Sequence, residues 1–289
     1  MQHSDIERSK QILKNIKNQI KKNGSMTVSE FIQHALYTKN LGYYMQPNLA
    51  IGDDFITAPQ LGNWLAFCIS ISWQSLQANQ LASIIEYGPG SGKLCFDILS
   101  HCEQLNCVPN NYYLIEISSS LRQKQQTQIN QLPKHLSEKV KWITKPPTTS
   151  GLVIANEFFD AWPIEQFQLT PEITSREIHI DKNEKLDFCT KPLAKDSDLF
   201  SAIENLKLPY SDYYSEIQLN YQSWFNQLYK SITQGAILII DYGMHQSSYY
   251  SPAKSAGTIR CHTKHRAHDD MLLYPGLQDI TAQIDFTAL

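Results

Sequence analysis

Short apolar runs alternate with amphipathic segments through the middle of the chain, and this alternation predicts strands that are followed by helices. Amphipathic helices are expected near residues 93–105 and 118–131. Strands are expected at residues 83–87, 112–116, 140–143, 152–155 and 236–241. Such alternation is typical of an α/β fold with a mostly parallel sheet and helices on both faces.

Polar side chains stand at the carboxyl ends of four predicted strands. These residues are Glu86, Glu116, Asn156 and Asp241. In open α/β sheets the ligand binds beyond the carboxyl ends of the strands. We therefore expect the four side chains to converge on one ligand site.

The N-terminal part of the chain has a different pattern and is predicted to be a helical extension over residues 1–80. Isoleucines and leucine recur on one face of 5–22, and lysines surround the rest of that helix. A second helix is expected to begin within residues 27–30, with Thr27 or Ser29 as its cap. Residues 64–78 are predicted to form a mostly buried helix.

Between residues 166 and 235 the strand–helix alternation stops, which predicts an inserted α+β cap or substrate region. Residues 166–190 favour a β-hairpin, and residues 212–233 favour a helix. The sheet domain is accordingly assigned to residues 81–165 and 236–289.

A glycine turn follows the first predicted strand, and its spacing separates three kinds of nucleotide site. The strand ends near Glu86, and Gly88, Gly90 and Gly92 follow at every second position. A dinucleotide fingerprint requires a third glycine three positions after the second, and lysine or cysteine stands there in either register. A P-loop requires glycine where tyrosine stands, and serine or threonine where leucine stands. Neither phosphate-binding pattern is present.

The pattern Glu-x-Gly-x-Gly-x-Gly instead resembles the first motif of class I S-adenosylmethionine-dependent methyltransferases. Glycine lets the backbone approach a ligand closely, and a carboxylate such as Glu86 suits a sulfonium or ammonium group. Glu116 ends the next apolar run, where a carboxylate can accept both ribose hydroxyls. S-adenosyl-L-methionine is thus the expected cofactor, bound by Glu86, Gly88, Gly90, Gly92 and Glu116. The alternatives are a turn that only connects strand to helix and a solvated Glu116.

The segment from Asn156 to Asp160 carries the candidate acceptor chemistry. Class I methyltransferases that modify nitrogen often place an Asn or Asp followed by aromatic residues at this strand end. Methyl transfer is an in-line displacement, so an amide or carboxylate that accepts N–H bonds can orient the nitrogen. Glu157 and Asp160 together suit a guanidinium, and the predicted catalytic residues are Asn156, Glu157 and Asp160. In the alternative, the two phenylalanines are core residues and Asp160 caps a helix.

Composition narrows the class of protein. The 289 residues are 42% hydrophobic, which suffices for one large domain or a domain with an insertion. A net charge of −3 gives no basic signature of nucleic-acid binding. No apolar run reaches the roughly 20 residues of a membrane span, and no signal peptide is recognisable. Six cysteines without a C-x-x-C pair predict reduced thiols, no metal site and a cytoplasmic location.

Six segments occur in an order that resembles the MidA family of methyltransferases. They are Leu41-Gly42-Tyr43-Tyr44-Met45, Asp54-Phe55-Ile56-Thr57-Ala58-Pro59, Glu86-Tyr87-Gly88-Pro89-Gly90-Ser91-Gly92, Asn156-Glu157-Phe158-Phe159-Asp160-Ala161-Trp162-Pro163, Asp241-Tyr242-Gly243 and Gln278-Asp279-Ile280-Thr281-Ala282. The resemblance spans about residues 25–289. It implies a class I, Rossmann-like fold with a helical N-terminal extension and an inserted cap, and S-adenosyl-L-methionine as cofactor.

The mitochondrial members of that family are arginine methyltransferases for the assembly of respiratory complex I. The resemblance therefore implies a protein arginine as acceptor, with a complex I subunit among the candidates, and a mitochondrial location if the chain is eukaryotic. Asp54 and Thr57, in the second matching segment, are expected to close the cofactor site from the N-terminal loop.

Two other functions stay open at this point. A methyltransferase for a small-molecule amine would have a closed pocket under the cap, whereas a protein acceptor needs an open groove. A non-catalytic assembly factor that binds the cofactor is the third hypothesis. It depends on residues 244–289, where no convincing pair of strands is found, so the C-terminal strands of the sheet are expected to be missing.

Overall fold

The computed structural model describes residues 3–47, 49, 57–77, 79–263 and 265–289, and the chain divides into two compact units. We call them the sheet unit and the first unit. The sheet unit comprises Pro47–Phe159 and Ser223–Asp241. The first unit comprises Met1–Gln46, Asp160–Gln222 and Tyr242–Leu289.

The helices and strands of the described residues have the following bounds. The α-helices are α1 (His3–Asn23), α2 (Val28–Tyr37), α3 (Ala58–Leu61), α4 (Trp64–Gln77), α5 (Lys93–Gln104), α6 (Ser119–Ile129), α7 (Lys134–Ser137), α8 (Asp198–Leu206), α9 (Tyr221–Ser231) and α10 (Gln246–Tyr249). The strands are β1 (Met26–Thr27), β2 (Ser83–Tyr87), β3 (Asn111–Ile115), β4 (Val140–Ile143), β5 (Thr149–Asn156), β6 (Glu165–Leu169), β7 (Ile173–Ile180), β8 (Leu186–Pro192), β9 (Tyr213–Ile217), β10 (Ile232–Ile240), β11 (Gly243–Met244), β12 (Arg260–Thr263), β13 (Arg266–His268), β14 (Asp279–Thr281) and β15 (Ile284–Asp285).

A five-stranded parallel sheet forms the centre of the sheet unit, in the order β10–β5–β2–β3–β4. All five predicted strands are present, and the predicted α/β class is confirmed. Every residue of β2 is buried, as its unbroken apolar run predicts, and α4 and α5 contribute Trp73 and Ile98 to the core beside it. Because the strands are parallel, the carboxyl ends of β2, β3, β5 and β10 lie at one edge of the sheet.

The strand β10 stands at one end of the sheet and is less buried than the central strands β5 and β2. It pairs with β5 from Ile232 to Ile240, and no second pairing of β10 occurs within the described ranges. Ile237 is 42% exposed although it lies in an apolar run. This strand is therefore an edge of the sheet in the part of the chain that the structure describes.

The helix α4 begins and ends within one residue of its prediction, but it is buried on one side only. Ala66, Ile69 and Trp73 are buried, whereas Trp64 is 76% exposed. The prediction of a mostly buried helix is wrong for this outer face. Residues 57–85 contain no charged side chain, so no charged stripe marks the outer face of this helix in the sequence.

An antiparallel sheet forms the centre of the first unit, in the order β1–β7–β6–β9, with β8 paired to β7. The predicted hairpin is confirmed at its turn, where the Asp181 carboxylate accepts the backbone N–H groups of Asn183 and Lys185 between β7 and β8. Its first arm is divided, because residues 165–169 form the separate strand β6. The predicted helix over 212–233 is wrong in its first part. Residues 213–217 form β9, which pairs with β6 and buries every residue except Tyr214, and the helix begins only at Tyr221.

The chain after Gly243 forms short strands that the sequence did not indicate. Strand β12 pairs with β13 and β14, and β11 pairs with β15. Strands of two to four residues contain too few positions to show a period. The Ala282 N–H donates to the Asp160 carbonyl at 2.8 Å, and the Tyr44 hydroxyl donates to Asp279 at 2.7 Å. These bonds place the last segment in the first unit, whereas the predicted boundaries placed it with the parallel sheet.

Two helices at the start of the first unit follow their sequence pattern. The predicted start of α2 is confirmed by a capping box, in which Thr27 Oγ1 accepts the Glu30 N–H and Glu30 accepts the Thr27 N–H. The helix α1 buries Ile12, Ile16 and Ile20 on one face only. No helix in the described ranges combines the length and the apolar character that a bilayer crossing requires.

Candidate functional site

Three glycines turn the chain from β2 into α5, and each of them has a left-handed backbone. The φ angles are +60° at Gly88, +53° at Gly90 and +82° at Gly92. A Cβ atom on Gly88 would lie 3.0 Å from the Phe158 ring, and one on Gly92 would lie 3.2 Å from the Gln125 Cα. A side chain at Gly88 or Gly92 would be both strained and crowded, so the turn leaves its backbone open to a ligand.

The first residue of α5 is a lysine, but it is not placed as a phosphate-binding lysine would be. The Lys93 ammonium lies 2.6 Å from the Asp97 carboxylate one helical turn later. This intrahelical ion pair agrees with the absence of a P-loop pattern from the sequence.

Glu86 is buried in β2, where Tyr112 of the neighbouring strand β3 donates a hydrogen bond of 2.7 Å to its Oε2. Burial raises the pKa of Glu86 to about 7, and the bond from Tyr112 opposes that rise. The carboxyl group is thus divided between its charged and neutral forms near neutral pH. Its predicted contact with the cofactor cation stays a prediction.

Replacing Glu86 with glutamine is expected to remove part of the pH dependence of stability. Because folding raises the pKa of Glu86 to about 7, the folded state binds more protons than the unfolded state from about pH 4.5 to 7. The free energy of unfolding therefore falls as pH rises through this window, by about 3 kcal/mol in total. Glutamine keeps the acceptor for Tyr112 but does not titrate.

Urea unfolding of both proteins at pH 5 and pH 8 measures this effect. From pH 5 to pH 8, the free energy of unfolding of the Glu86→Gln variant should rise by about 2 kcal/mol relative to that of the parent. The effect of Glu86 is the difference in unfolding free energy between the two proteins. Burial also raises the pKa of Glu165 to about 7, and Glu165 titrates in both proteins. If the variant and the parent differ in unfolding free energy by the same amount at pH 5 and pH 8, the expected titration of Glu86 is contradicted.

Glu116 follows β3, and protein donors hold both of its oxygens. Oε1 accepts the Ser118 N–H at 2.7 Å, and Oε2 accepts the Gln125 side-chain amide at 3.0 Å. Burial raises the pKa of Glu116, and these bonds oppose the rise. Each oxygen retains a lone pair that can accept a ligand hydroxyl. The next residue, Ile117, is 63% exposed and offers an apolar surface that no motif in the sequence indicates.

Glu157 has a left-handed backbone with φ of +46°, which is uncommon for a residue other than glycine. Its N–H donates to the Ile240 carbonyl at 2.8 Å, and its Oε1 accepts the Ala58 N–H at 3.3 Å. Burial raises the pKa of Glu157, and the nearby Asp241 raises it further. A backbone held in such a conformation is typical of functional sites.

Asn156 lies beside this carboxylate at the end of β5. Its side-chain amide donates to Glu157, and its Oδ1 is buried without a hydrogen-bond partner. An unpaired buried acceptor costs about 1–3 kcal/mol, and a ligand N–H would remove that cost. Asn156 and Glu157 therefore provide neighbouring acceptors for a group that carries several N–H donors.

Asp241 fixes the turn that contains these acceptors. Its Oδ2 accepts the backbone N–H groups of Phe158 at 3.1 Å and Phe159 at 2.9 Å. The sequence placed Asp241 at a strand end near the site but gave it no role. The structure brings it to the Asn156–Glu157 turn, as the convergence of parallel strand ends predicts.

Four aromatic rings pack together next to the same turn. The Trp224 ring lies 5.2 Å from Tyr87 and 4.9 Å from Phe159, and Phe158 lies 5.3 Å from Tyr87. Phe159 is buried, so the core interpretation holds for it, whereas Phe158 is half-buried. Trp224 was predicted only as a helix residue, and its apolar helical spacing contains no signal for a site.

Of the remaining predicted site residues, Asp160 and Thr57 are among the described residues and Asp54 is not. Asp160 belongs to the first unit, where burial raises the pKa of Tyr44 and the nearby Asp279 and Asp160 raise it further. Thr57 precedes α3, and its N–H donates to Gln60 at 3.3 Å. Asp54 lies outside the described residues. The roles assigned to Asp160, Thr57 and Asp54 stay predictions.

Residues 61–289 match the family described as "Putative S-adenosyl-L-methionine-dependent methyltransferase". The chain belongs to this family. It is therefore an S-adenosyl-L-methionine-dependent methyltransferase, and the predicted enzyme class and cofactor are confirmed. The match covers the glycine turn, Glu116, the Asn156–Glu157 turn and Asp241.

Relatives of this methyltransferase extend over almost the whole chain. The mitochondrial protein arginine methyltransferase NDUFAF7 of Danio rerio is 31% identical, over 97% of this chain and 71% of the relative. The protein of the same name from Homo sapiens is 27% identical, over 96% of this chain and 68% of the relative. These similarities agree with the resemblance to the MidA family.

A solved structure shows the same fold. A Burkholderia thailandensis protein bound to S-adenosyl-homocysteine superposes with a TM-score of 0.91 and 27% identity, over 100% of this chain and 76% of that chain. The native structure of a Burkholderia thailandensis protein gives a TM-score of 0.90 at 27% identity, with the same coverage. The predicted class I methyltransferase fold is thereby confirmed.

The residues of the sheet unit fit S-adenosyl-L-methionine. The glycine turn is a cradle that side chains on Gly88 and Gly92 would fill, and Lys93 is already paired with Asp97. Glu116 keeps acceptor capacity on both oxygens, which suits a ribose diol better than a phosphate. This donor and acceptor set agrees with a cofactor that is cationic and has no phosphate.

Proposed function

We propose that this methyltransferase transfers the methyl group to a guanidinium nitrogen of an arginine in a protein. The observation that carries the proposal is the pair of acceptors at the end of β5: the unpartnered, buried Asn156 Oδ1 and the Glu157 carboxylate. A guanidinium presents five N–H donors in a plane and prefers paired acceptors of this kind. The names of the relatives, which are protein arginine methyltransferases, support the same acceptor.

In the cofactor half of the site, Gly88, Gly90 and Gly92 let the backbone approach the cofactor, and Glu116 accepts its ribose hydroxyls. Glu86, which precedes the glycine turn in the sequence, contributes negative charge to this half of the site. The exposed Ile117 offers an apolar contact. When bound, S-adenosyl-L-methionine supplies an electrophilic methyl group. Catalysis by the chain then consists mostly of positioning.

In the acceptor half of the site, Asn156 and Glu157 orient the guanidinium by accepting its N–H groups. One N–H proton must leave the nitrogen that gains the methyl group. The Glu157 carboxylate is the base for that proton, because burial and the nearby Asp241 raise its pKa and so its affinity for a proton. The proton then passes to solvent, since Glu157 is only half-buried.

Labelled transfer tests this function. The protein is incubated with cofactor labelled in the methyl group and with cell-lysate proteins, and the protein fraction is hydrolysed. We expect the label in methylarginine, and we expect Glu157→Gln to lower the rate about 100-fold because the acceptor loses its charged partner and its base. Affinity for S-adenosylhomocysteine, measured by calorimetry, should change less than about threefold.

The exposed Glu138→Gln substitution in the sheet unit is the matched control and should leave both quantities unchanged. Label in lysine would contradict an arginine acceptor, and label in a small molecule would contradict it and favour the small-amine alternative. No transferred label from a protein that still binds S-adenosylhomocysteine would contradict catalysis and favour a cofactor-binding assembly factor.

The cellular partner and location are further parts of this proposal. The relatives carry mitochondrial names, which support the mitochondrial alternative for a eukaryotic chain and give no support to a cytoplasmic location. A complex I subunit as acceptor rests only on the resemblance found in the sequence. Mass spectrometry of the methylated lysate proteins would identify the acceptor directly.

A further inference from the structure

A fully buried glutamine connects the two parts of the proposed cofactor site. The Gln125 side-chain nitrogen donates to the Gly90 carbonyl at 2.9 Å and to Glu116 Oε2 at 3.0 Å. Its side-chain carbons also pack against Gly92, at distances of 3.2–3.3 Å from the position a Cβ would take there. One side chain thus contacts the glycine turn at two positions and the predicted ribose acceptor at a third.

The orientation of this amide is determined by its third partner. The Trp142 indole N–H donates to Gln125 Oε1 at 2.8 Å. An indole nitrogen can only donate, so the amide oxygen must face Trp142. Both amide N–H groups then face Gly90 and Glu116, and the amide cannot be reversed without the loss of all three bonds.

The geometry of Glu116 follows from this arrangement. Gln125 fixes one carboxylate oxygen and the Ser118 N–H fixes the other, so the plane of the carboxylate is set before a ligand binds. One lone pair on each oxygen remains for a ligand. Two neighbouring oxygens, each with one lone pair, match two hydroxyls on adjacent carbons.

We infer that Gln125 is a positioning residue that aligns Glu116 for the cis-diol of the cofactor ribose and couples that contact to the glycine turn. The inference rests on the proposed assignment of Glu116 to the ribose. It predicts selectivity for a ribonucleoside over a 2′-deoxyribonucleoside, and it makes Gln125 responsible for that selectivity without a contact to the ligand.

Calorimetry with S-adenosylhomocysteine and its 2′-deoxy analogue tests the inference. The parent protein should bind the ribonucleoside at least about tenfold tighter, as expected for a hydrogen bond to a charged group. In Gln125→Met, which keeps the length of the side chain, selectivity should fall to about threefold or less. The matched control, Gln126→Met, changes an exposed glutamine of the same helix and should keep the selectivity of the parent.

The outcomes separate this inference from the proposed site. Equal binding of the two nucleosides by the parent would overturn the assignment of Glu116 and the inference with it. Equal weakening of both nucleosides by Gln125→Met, with selectivity retained, would show a structural role only and overturn the inference alone. If Gln125→Met does not fold, Trp142→Phe replaces it, because loss of the indole N–H frees the amide to reverse and should also lower selectivity.

Discussion

A valine in place of Gly88 is expected to abolish cofactor binding, with affinity for S-adenosylhomocysteine reduced at least about 100-fold, or about 2.7 kcal/mol. The φ of +60° at this position is unfavourable for a residue with a Cβ atom, and more so for a β-branched one. The added Cβ would lie 3.0 Å from the Phe158 ring, so the turn or the ring must move. Isothermal titration calorimetry measures the effect.

A glycine in an ordinary conformation provides the control for this substitution. Gly62 has φ of +165°, which is extended backbone, and the nearest atom to an added Cβ is 3.9 Å away on Trp64. Gly62→Val should therefore bind S-adenosylhomocysteine as the parent does. Unchanged binding by a folded Gly88→Val variant would mean that the cofactor does not lie against this turn.

The second large effect is expected for Asp241→Ala, which should slow methyl transfer about 100-fold while affinity for S-adenosylhomocysteine changes less than about threefold. Alanine leaves the Phe158 and Phe159 N–H groups without the carboxylate that now accepts them. The turn then loses the bonds that hold Glu157 at its positive φ, and a displacement of about 1 Å at an acceptor can cost about 100-fold in rate. Single-turnover kinetics with a methyl-accepting protein measures the rate.

The Asp241→Asn variant separates geometry from charge. Asparagine retains one oxygen that can accept the two N–H groups, so we expect it to keep most of the transfer rate. If asparagine is as slow as alanine, the charge of Asp241 matters rather than the turn. If cofactor affinity falls with the rate, Asp241 belongs to the cofactor half of the site.

The parts of the candidate site that were recognisable in the sequence are those whose chemistry lies in a continuous segment. The glycine turn was recognisable because three glycines at every second position follow a buried strand. Glu116 and Asn156 were recognisable because strand ends in a parallel sheet meet at one edge. In both cases the local pattern and the topology of the sheet lead to the same place.

Residues that act through tertiary contacts had no such signal. Gln125 lies in a polar helix with several other glutamines, and only its bonds to Gly90, Glu116 and Trp142 distinguish it. Trp224 has the helical spacing of an ordinary core residue.

The strand over residues 213–217 was missed for a related reason. It is too short for its period to outweigh the helical pattern that follows it, and its pairing with β6 decides its structure.

The backbone of Glu157 has a consequence for laboratory evolution. A left-handed residue is held most easily by glycine or asparagine, so either substitution should relieve backbone strain of about 1 kcal/mol. A screen that rewards only heat resistance would therefore enrich those two residues at position 157 and discard the proposed base. Libraries of variants sorted for folding and libraries sorted for methyl transfer should therefore be enriched in different residues at position 157.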